Sequence, residues 1–309
     1  MKTTNYYHND YLQQVRLLAR LLISVNKEKA FALKGGTAIN LFVRDLPRLS
    51  IDIDLTYLPL QNRKVSLENI EAALLRIQAD IERHNRDVLV NQKRAKNQQL
   101  QKLIVGQAER IKIEPNEVLR GSIYPSEYRA LLPKAQELLG IAVGEIQMLS
   151  FEDLYAGKIC AALDRQHPRD LFDIYLLYQY EGITDRIRSA FIVYLACGPR
   201  PMVELLQPNY LDQVSVFQNE FVGMTLDPIT YDQLMQVREQ LVTDINQTLT
   251  SNERCFLLSV KQGEPNYSLM PFDHLEQLPA LQWKLINVRK MEKTKHASML
   301  NKLKAVLDV

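Results

Sequence analysis

The sequence predicts an α+β protein in two parts: an α/β domain with a mixed sheet over residues 1–146 and a mainly α-helical domain over 147–309. Three observations predict it. Up to Pro115, apolar residues alternate in short runs of period 2 between stretches of helical period. From Phe151 onward nearly every segment has helical period, so the boundary falls close to Gln147. The 309 residues, 46% hydrophobic and 24% charged, are enough for two cores of ordinary soluble composition.

Composition also limits the function. The formal net charge is only +2, so affinity for nucleic acid has to come from local clusters of Lys and Arg. Cys160, Cys197 and Cys255 lie far apart with no Cys-x-x-Cys spacing, which indicates neither a zinc site nor a disulfide framework and fits a reducing cytosol. The start, MKTTNYYHND, lacks a basic apolar leader, and the apolar run Leu17 to Val25 is interrupted by Arg20. The expectation is a cytoplasmic protein that does not meet a membrane. No repeat, low-complexity tract or His cluster is present.

In chain order, Leu12, Val15, Leu18, Ala19 and Leu22 recur at helical spacing and predict an amphipathic helix over residues 11–25. Phe31-Ala32-Leu33 reads as a buried strand, after which Gly35-Gly36 lets the backbone turn with its N–H groups uncovered. Thr37 can cap the apolar segment Ala38, Ile39, Leu41, Phe42, so that a helix N-terminus faces the same spot and suits phosphate. After a turn at Pro47, Ser50-Ile51-Asp52-Ile53-Asp54-Leu55 is a period-2 strand with Ile51, Ile53 and Leu55 on one face and Asp52 and Asp54 on the other. Two carboxylates so close repel unless a cation lies between them, which suits shared Mg²⁺ ligation; on a surface strand such a pair is also compatible with simple solvation.

A helix over residues 67–81 carries Ile70, Leu74 and Ile77 on one face. Arg83, Arg86, Lys93, Arg94, Lys96 and Lys102 then face a single acid, Asp87, as either a solvated surface or a phosphate-tracking patch. Residues 88–90 and 103–105 read as two strands joined by a polar hairpin that carries much of this charge at its tip. Arg110-Ile111-Lys112-Ile113-Glu114 alternates again and stops at Pro115, so Glu114 can end a neighbouring strand as a third metal ligand.

In the second half, Ser150 with Asp153 begins a helix over residues 151–165 that carries Lys158. His167-Pro168 breaks it, and Arg169-Asp170-Leu171-Phe172-Asp173 opens the next helix. Asp170 can cap that helix, and Lys158 alone reads as a surface residue. The turn holding Arg165, Arg169 and Asp170 also allows a cation and a carboxylate to meet across it. Residues 186–195, 230–249 and 297–307 are helical in pattern, and PMVELLQPNY is a connecting stretch. From Trp283, Lys284, Arg289, Lys290, Lys293, Lys295, Lys302 and Lys304 form a basic helix, either solvated or facing RNA.

The segments GGTAINLF and RLSIDIDL, followed by YAGKICAALDRQHPRDLFDI, together resemble the AbiEii/AbiGii-type toxin nucleotidyltransferases of the DNA polymerase β-like superfamily, which includes mycobacterial toxins that modify tRNA. The match covers roughly residues 33–55 and 155–174 directly. It implies a polymerase β-like nucleotidyltransferase domain, with the helical domain closing the cleft. The family's first strand carboxylate falls on Asp52, its catalytic lysine on Lys158 and its motif aspartate on Asp173, which would hold Lys158 or an arginine in orientation. A third acidic residue on a neighbouring strand, here Glu114, helps activate an attacking hydroxyl in such folds.

The candidate nucleotide-binding residues are Lys34, Gly35, Gly36, Thr37, Arg48, Ser50 and Arg169, and the candidate metal ligands are Asp52, Asp54 and Glu114. Mg²⁺, or Mn²⁺ in its place, is the expected cofactor and an NTP the expected substrate. The resemblance implies an RNA acceptor such as a tRNA 3′ end, loss of pyrophosphate, a toxic outcome and a restraining antitoxin. Transfer to a protein or small hydroxyl compound, and a non-catalytic nucleotide- or RNA-binding module, are the alternatives. Ser50 shares the strand face of Asp52, and a phosphoryl or nucleotidyl group on it would add negative charge beside the carboxylates and inactivate the protein.

Overall fold

The structure is a computed structural model that describes residues 9–107 and 110–309, with side chains of the first helix from residue 12. The reading of the first eight residues as lacking a leader lies outside the described residues. The chain divides into two compact units. The first comprises Met1–Ser150 together with Phe221–Pro228, and the second Phe151–Glu220 with Ile229–Val309. The return of residues 221–228 to the first unit has no counterpart in the two continuous domains expected from the sequence.

The first unit is built on a seven-stranded sheet. Its elements are α1 (Asn9–Val25), β1 (Phe31–Lys34), α2 (Gly35–Ala38) continued by a π-helical turn Ile39–Val43, β2 (Asp52–Tyr57), α3 (Arg63–His84), β3 (Val90–Arg94), β4 (Leu100–Val105), β5 (Ile111–Asn116), β6 (Glu127–Arg129), α4 (Pro133–Leu139) and β7 (Ile146–Met148). The strand order is β3-β4-β5-β2-β1-β7-β6. The β2/β5 and β1/β7 pairs are parallel and the others antiparallel, so the sheet is mixed as expected.

One face of the sheet is apolar because Ile53 and Leu55, Leu103 and Val105, and Ile111 and Ile113 alternate along their strands. Against it pack α1, through the stripe Leu12, Val15, Leu18, Ala19 and Leu22, and α3, through Ile70, Leu74 and Ile77. The helix α3 starts before its apolar stripe because Asn62 caps it by accepting from Val65 N at 3.0 Å, a polar signal that periodicity does not register. Likewise β3 extends into the polar residues up to Arg94, where cross-strand pairing decides and hydrophobicity does not.

The second unit is helical: α5 (Phe151–Arg165), α6 (Pro168–Tyr180), α7 (Asp185–Cys197), α8 (Met202–Leu206), α9 (Val214–Glu220), α10 (Tyr231–Thr248), α11 (Ser251–Gln262), α12 (Pro279–Arg289) and α13 (Lys293–Leu307), with two single 3₁₀ turns. Thr230 and Thr250 close reciprocal capping boxes with Gln233 and Glu253, which start α10 and α11. Two expectations are corrected. The PMVELLQPNY stretch contains the short helix α8, and the basic tail is two helices broken at Lys290. Lys284 in that tail is largely buried and donates to the carbonyl oxygens of Gly198 at 2.7 Å and Arg200 at 3.2 Å. Burial, with Lys261 nearby, pushes its ammonium down to about 8. Arg289 donates to Gly263 O, whereas Lys290, Lys293, Lys295, Lys302 and Lys304 are exposed. Among the described residues no helix is long and apolar enough to cross a membrane.

Candidate active site

The site residues of the first unit gather where β1 ends and β2 begins. Gly35 follows β1 directly with a φ of +72°, a left-handed conformation that costs other residues energy. A Cβ added to Gly35 would lie 2.6 Å from Asp54 Oδ2, so the carboxylate rests on the bare backbone of the turn. A Cβ added to Gly36 would lie 2.7 Å from a terminal guanidinium nitrogen of Arg48 and 2.9 Å from Ser50 Oγ. The two glycines thus open space for side chains arriving from the far side of the turn. Arg48 is buried, and its guanidinium donates to Leu49 O at 2.8 Å. Its backbone segment is fixed by residues remote in sequence: Leu49 N donates to Met224 O at 2.8 Å, Leu226 N donates to Pro47 O at 3.1 Å, and Arg48 bridges to Thr225.

Thr37 does not cap the helix as expected. It is the third residue of α2, whose cap position is Lys34 with no side-chain cap. Its hydroxyl lies 3.0 Å from Ser50 Oγ and within hydrogen-bond distance of the Asp52 carbonyl oxygen. A carbonyl only accepts, so Thr37 donates there and the Ser50 hydroxyl turns to suit it. Thr37 therefore ties the glycine turn to the start of β2 and leaves Ser50 buried.

Asp52 and Asp54 share the sheet face opposite the helices, and both are partly exposed. Register fixes their neighbours: Lys34 lies across from Asp54 on β1, Glu114 across from Asp54 on β5, and Lys112 across from Asp52. Lys112 Nζ is 3.8 Å from Asp52 Oδ1, and Lys102 Nζ is 3.0 Å from each oxygen of Glu114. Sequence reading brought Asp52, Asp54 and Glu114 to one face. It did not assign Lys102 and Lys112 as their partners, although the Lys-x-Glu alternation of residues 112–114 was visible.

Among the described residues no three His, Cys, Asp or Glu side chains gather as a metal-holding group. The donor chemistry of Asp52 and Asp54 nevertheless fits a hard divalent cation, since it offers two carboxylates from one strand face beside a turn that carries backbone N–H groups. Glu114 is in register with Asp54, with both its oxygens on Lys102.

The site residues of the second unit form a separate cluster on α5 and α6. Lys158 is buried, with its side chain 5% exposed, which removes the surface reading. Its ammonium lies 2.7 Å from Asp170 Oδ1 and 2.9 Å from Asp173 Oδ2. Arg165 adds hydrogen bonds of 2.6 and 3.1 Å to Asp170. The expected alternative role of Asp170 as helix cap is filled by His167, whose Nδ1 accepts from Arg169 N at 3.1 Å. Burial alone would raise the Asp170 carboxyl, but the charges of Lys158 and Arg165 outweigh it and hold the group far below the usual carboxylate range. Burial, with Arg169 nearby, lowers the His167 imidazole, which suits its neutral accepting role. Arg169 lies 3.8 Å from Glu220. Two cations and two carboxylates thus balance, with Lys158 fixed by Asp170 as well as by the expected Asp173.

Comparison with known proteins gives the family. A structure of MenT4, a nucleotidyltransferase toxin from Mycobacterium tuberculosis H37Rv, is similar with a TM-score of 0.63 at 15% identity, covering 90% of this chain and 93% of that one, which establishes a shared fold. No curated protein matches the sequence. The family model described as "Nucleotidyl transferase AbiEii toxin, Type IV TA system" matches residues 16–285. With the glycine turn, the paired strand carboxylates and the helix lysine all inside that span, the chain belongs to the AbiEii family of nucleotidyltransferase toxins of type IV toxin–antitoxin systems.

Proposed function

We propose that the protein transfers a nucleoside monophosphate from an NTP to the 3′ end of an RNA, a tRNA in particular, in a reaction that depends on Mg²⁺ or Mn²⁺. The supporting observation is the packing of Asp54 onto Gly35 and of Arg48 and Ser50 onto Gly36, which sets a paired-carboxylate strand directly beside an uncovered backbone turn. Asp52 and Asp54 would hold the metal ion, which would supply Lewis-acid stabilisation of phosphate charge. Gly35 and Gly36 offer N–H groups to phosphate oxygens, and Lys34 and Arg48 add positive charge. The acceptor hydroxyl oxygen forms a bond to the α-phosphorus, its proton passes to Glu114, and the bond from that phosphorus to the departing pyrophosphate breaks. Lys158, oriented by Asp173 and Asp170, serves the same reaction by stabilising triphosphate charge, with Arg169 in support. The family implies a restraining antitoxin, and NTP and RNA as substrates support a cytoplasmic site of action.

The complete charge compensation of Lys158 favours a second reading of that cluster, as a clamp between α5 and α6 with no part in transfer. The central reading is tested by incubating the protein with each of four α-labelled NTPs, total tRNA and Mg²⁺. Labelled RNA and free pyrophosphate are expected, with loss of at least about 100-fold in Asp52→Asn, the order seen when one charge-stabilising group is removed. Label on lysate protein in place of RNA would move the acceptor to the alternative class. RNA binding with no pyrophosphate from any NTP would leave only a binding module.

A further inference from the structure

The polar face of the sheet carries more than the carboxylate pair. Register continues its charges outward strand by strand: Asp52 and Asp54 on β2, Lys112 and Glu114 on β5, Lys102 on β4, and Lys93 across from Lys102 on β3. The neighbouring basic residue Arg94 is excluded from this face. It turns to α3, where it meets Glu71 at 2.8 Å, and Gln92 beside it donates to Gln78 of the same helix. The open face therefore holds an acidic centre at β2 and a row of lysines running to the β3 edge, with neighbouring strands on the order of 4.8 Å apart.

Two counter-ions of the acidic centre come from this row. Lys112, with its side chain 54% exposed, stands off Asp52 at 3.8 Å, and Lys102 holds Glu114. Neither pair is deeply buried, and solvent-screened pairs of this kind hold only weakly, so they exchange readily. Lys93 directly opposite Lys102 is a like-charge pairing, tolerable while Glu114 neutralises Lys102.

We infer that Lys102 and Lys112 are exchangeable counter-ions that couple metal binding to binding of the RNA acceptor strand. The inference rests on the reading of Asp52 and Asp54 as metal ligands. In the metal-free protein the two lysines neutralise Glu114 and Asp52. A divalent cation on the carboxylates takes over that charge and repels the ammonium groups, which turn outward. Lys93, Lys102 and Lys112 then form an uncompensated cationic row, and a polyanion is what such a row binds. An RNA strand laid along it has its phosphates on successive strands and its course directed from the sheet edge toward the carboxylates. By reciprocity, RNA on the lysines strengthens metal binding by the same factor.

The test uses the full chain without NTP, so that no transfer occurs. Affinity for a dye-labelled single-stranded oligoribonucleotide is measured by anisotropy with Mg²⁺ and with EDTA, at matched ionic strength and across a KCl series. Mn²⁺ uptake is followed by calorimetry with and without the oligonucleotide. The native protein is expected to bind RNA at least about 5-fold tighter with metal, the lower end of ordinary coupling between sites. Its salt dependence should steepen by about 0.7 for each added phosphate contact. The Lys102→Gln/Lys112→Gln variant should fold normally, since both side chains reach solvent, and should lose both metal-dependent changes. If Mn²⁺ binds through Asp52 while RNA affinity ignores it, or if the double variant responds as the native protein does, the coupling is wrong and the metal reading stands. If the native protein takes up no Mn²⁺, the metal reading falls and the coupling with it.

Discussion

At residue scale the site depends on two absent side chains. Gly35 is constrained twice, by its positive φ and by Asp54 Oδ2, whereas Gly36 is constrained only by what packs on it. Gly35→Ala should cost about 1–2 kcal/mol for the left-handed backbone. It should lower transfer by much more than the stability loss explains, because the flexible Asp54 carboxylate yields first. Gly36→Ala meets a buried guanidinium with no solvent to retreat into, so it should cost about 1–3 kcal/mol as overpacking. Urea midpoints set beside transfer rates separate the two effects; a Gly35→Ala protein with native activity would remove Asp54 from the site. Ser50 stands in the same packing, buried and bonded to Thr37, so a modifying group there would have to break into the glycine turn as well as add charge.

At the scale of elements, the strand β2 was legible because Ile53 and Leu55 alternate with Asp52 and Asp54, and the pairing of α5 with α6 because His167-Pro168 can do little but break a helix. What was illegible has a common cause. The contact between residues 47–49 and 224–226 is made by main-chain groups, which leave no pattern in side chains. Leu226→Pro removes the donor to Pro47 O and should cost about 1–3 kcal/mol, with faster hydrogen exchange at Leu49 as the specific sign. Unchanged exchange at Leu49 would mean the strap does not hold Arg48 in place. The Lys158 cluster was half legible: the motif gave Lys158 and Asp173, but burial decided that Asp170 and Arg165 would join them.

That cluster also predicts a pH dependence. The folded-state value of Asp170 is depressed, so its contribution to stability is present above the ordinary carboxylate range, about 4, and is lost as pH falls toward the folded-state value. Asp170→Asn should lower stability at neutral pH by roughly 3–5 kcal/mol and flatten the acid limb of the stability profile. Trp283, the single tryptophan, lies in the helical unit and reports its unfolding by fluorescence. An unchanged acid limb in Asp170→Asn would show that the pair does not stabilise the fold.

For the molecule as a whole, a charge-removing variant of the second unit tests whether transfer needs more than the carboxylates of the first. Losing activity in Lys158→Met does not answer it, since removing one partner of a buried network leaves charge uncompensated and costs about 3–5 kcal/mol. The informative protein is Lys158→Met/Asp170→Asn/Asp173→Asn, which removes the three buried charges together. Arg165 is then left without Asp170, but its side chain is 64% exposed and solvent takes it over. Replacing a whole buried ionic network is often neutral for stability, so this variant should recover most of the unfolding midpoint lost by Lys158→Met. If Lys158 acts on the triphosphate, the refolded variant should still fail to transfer nucleotides and to inhibit growth, as Asp52→Asn does with its second unit untouched. If growth inhibition returns with stability, the cluster is a clamp and the chemistry belongs to the first unit alone.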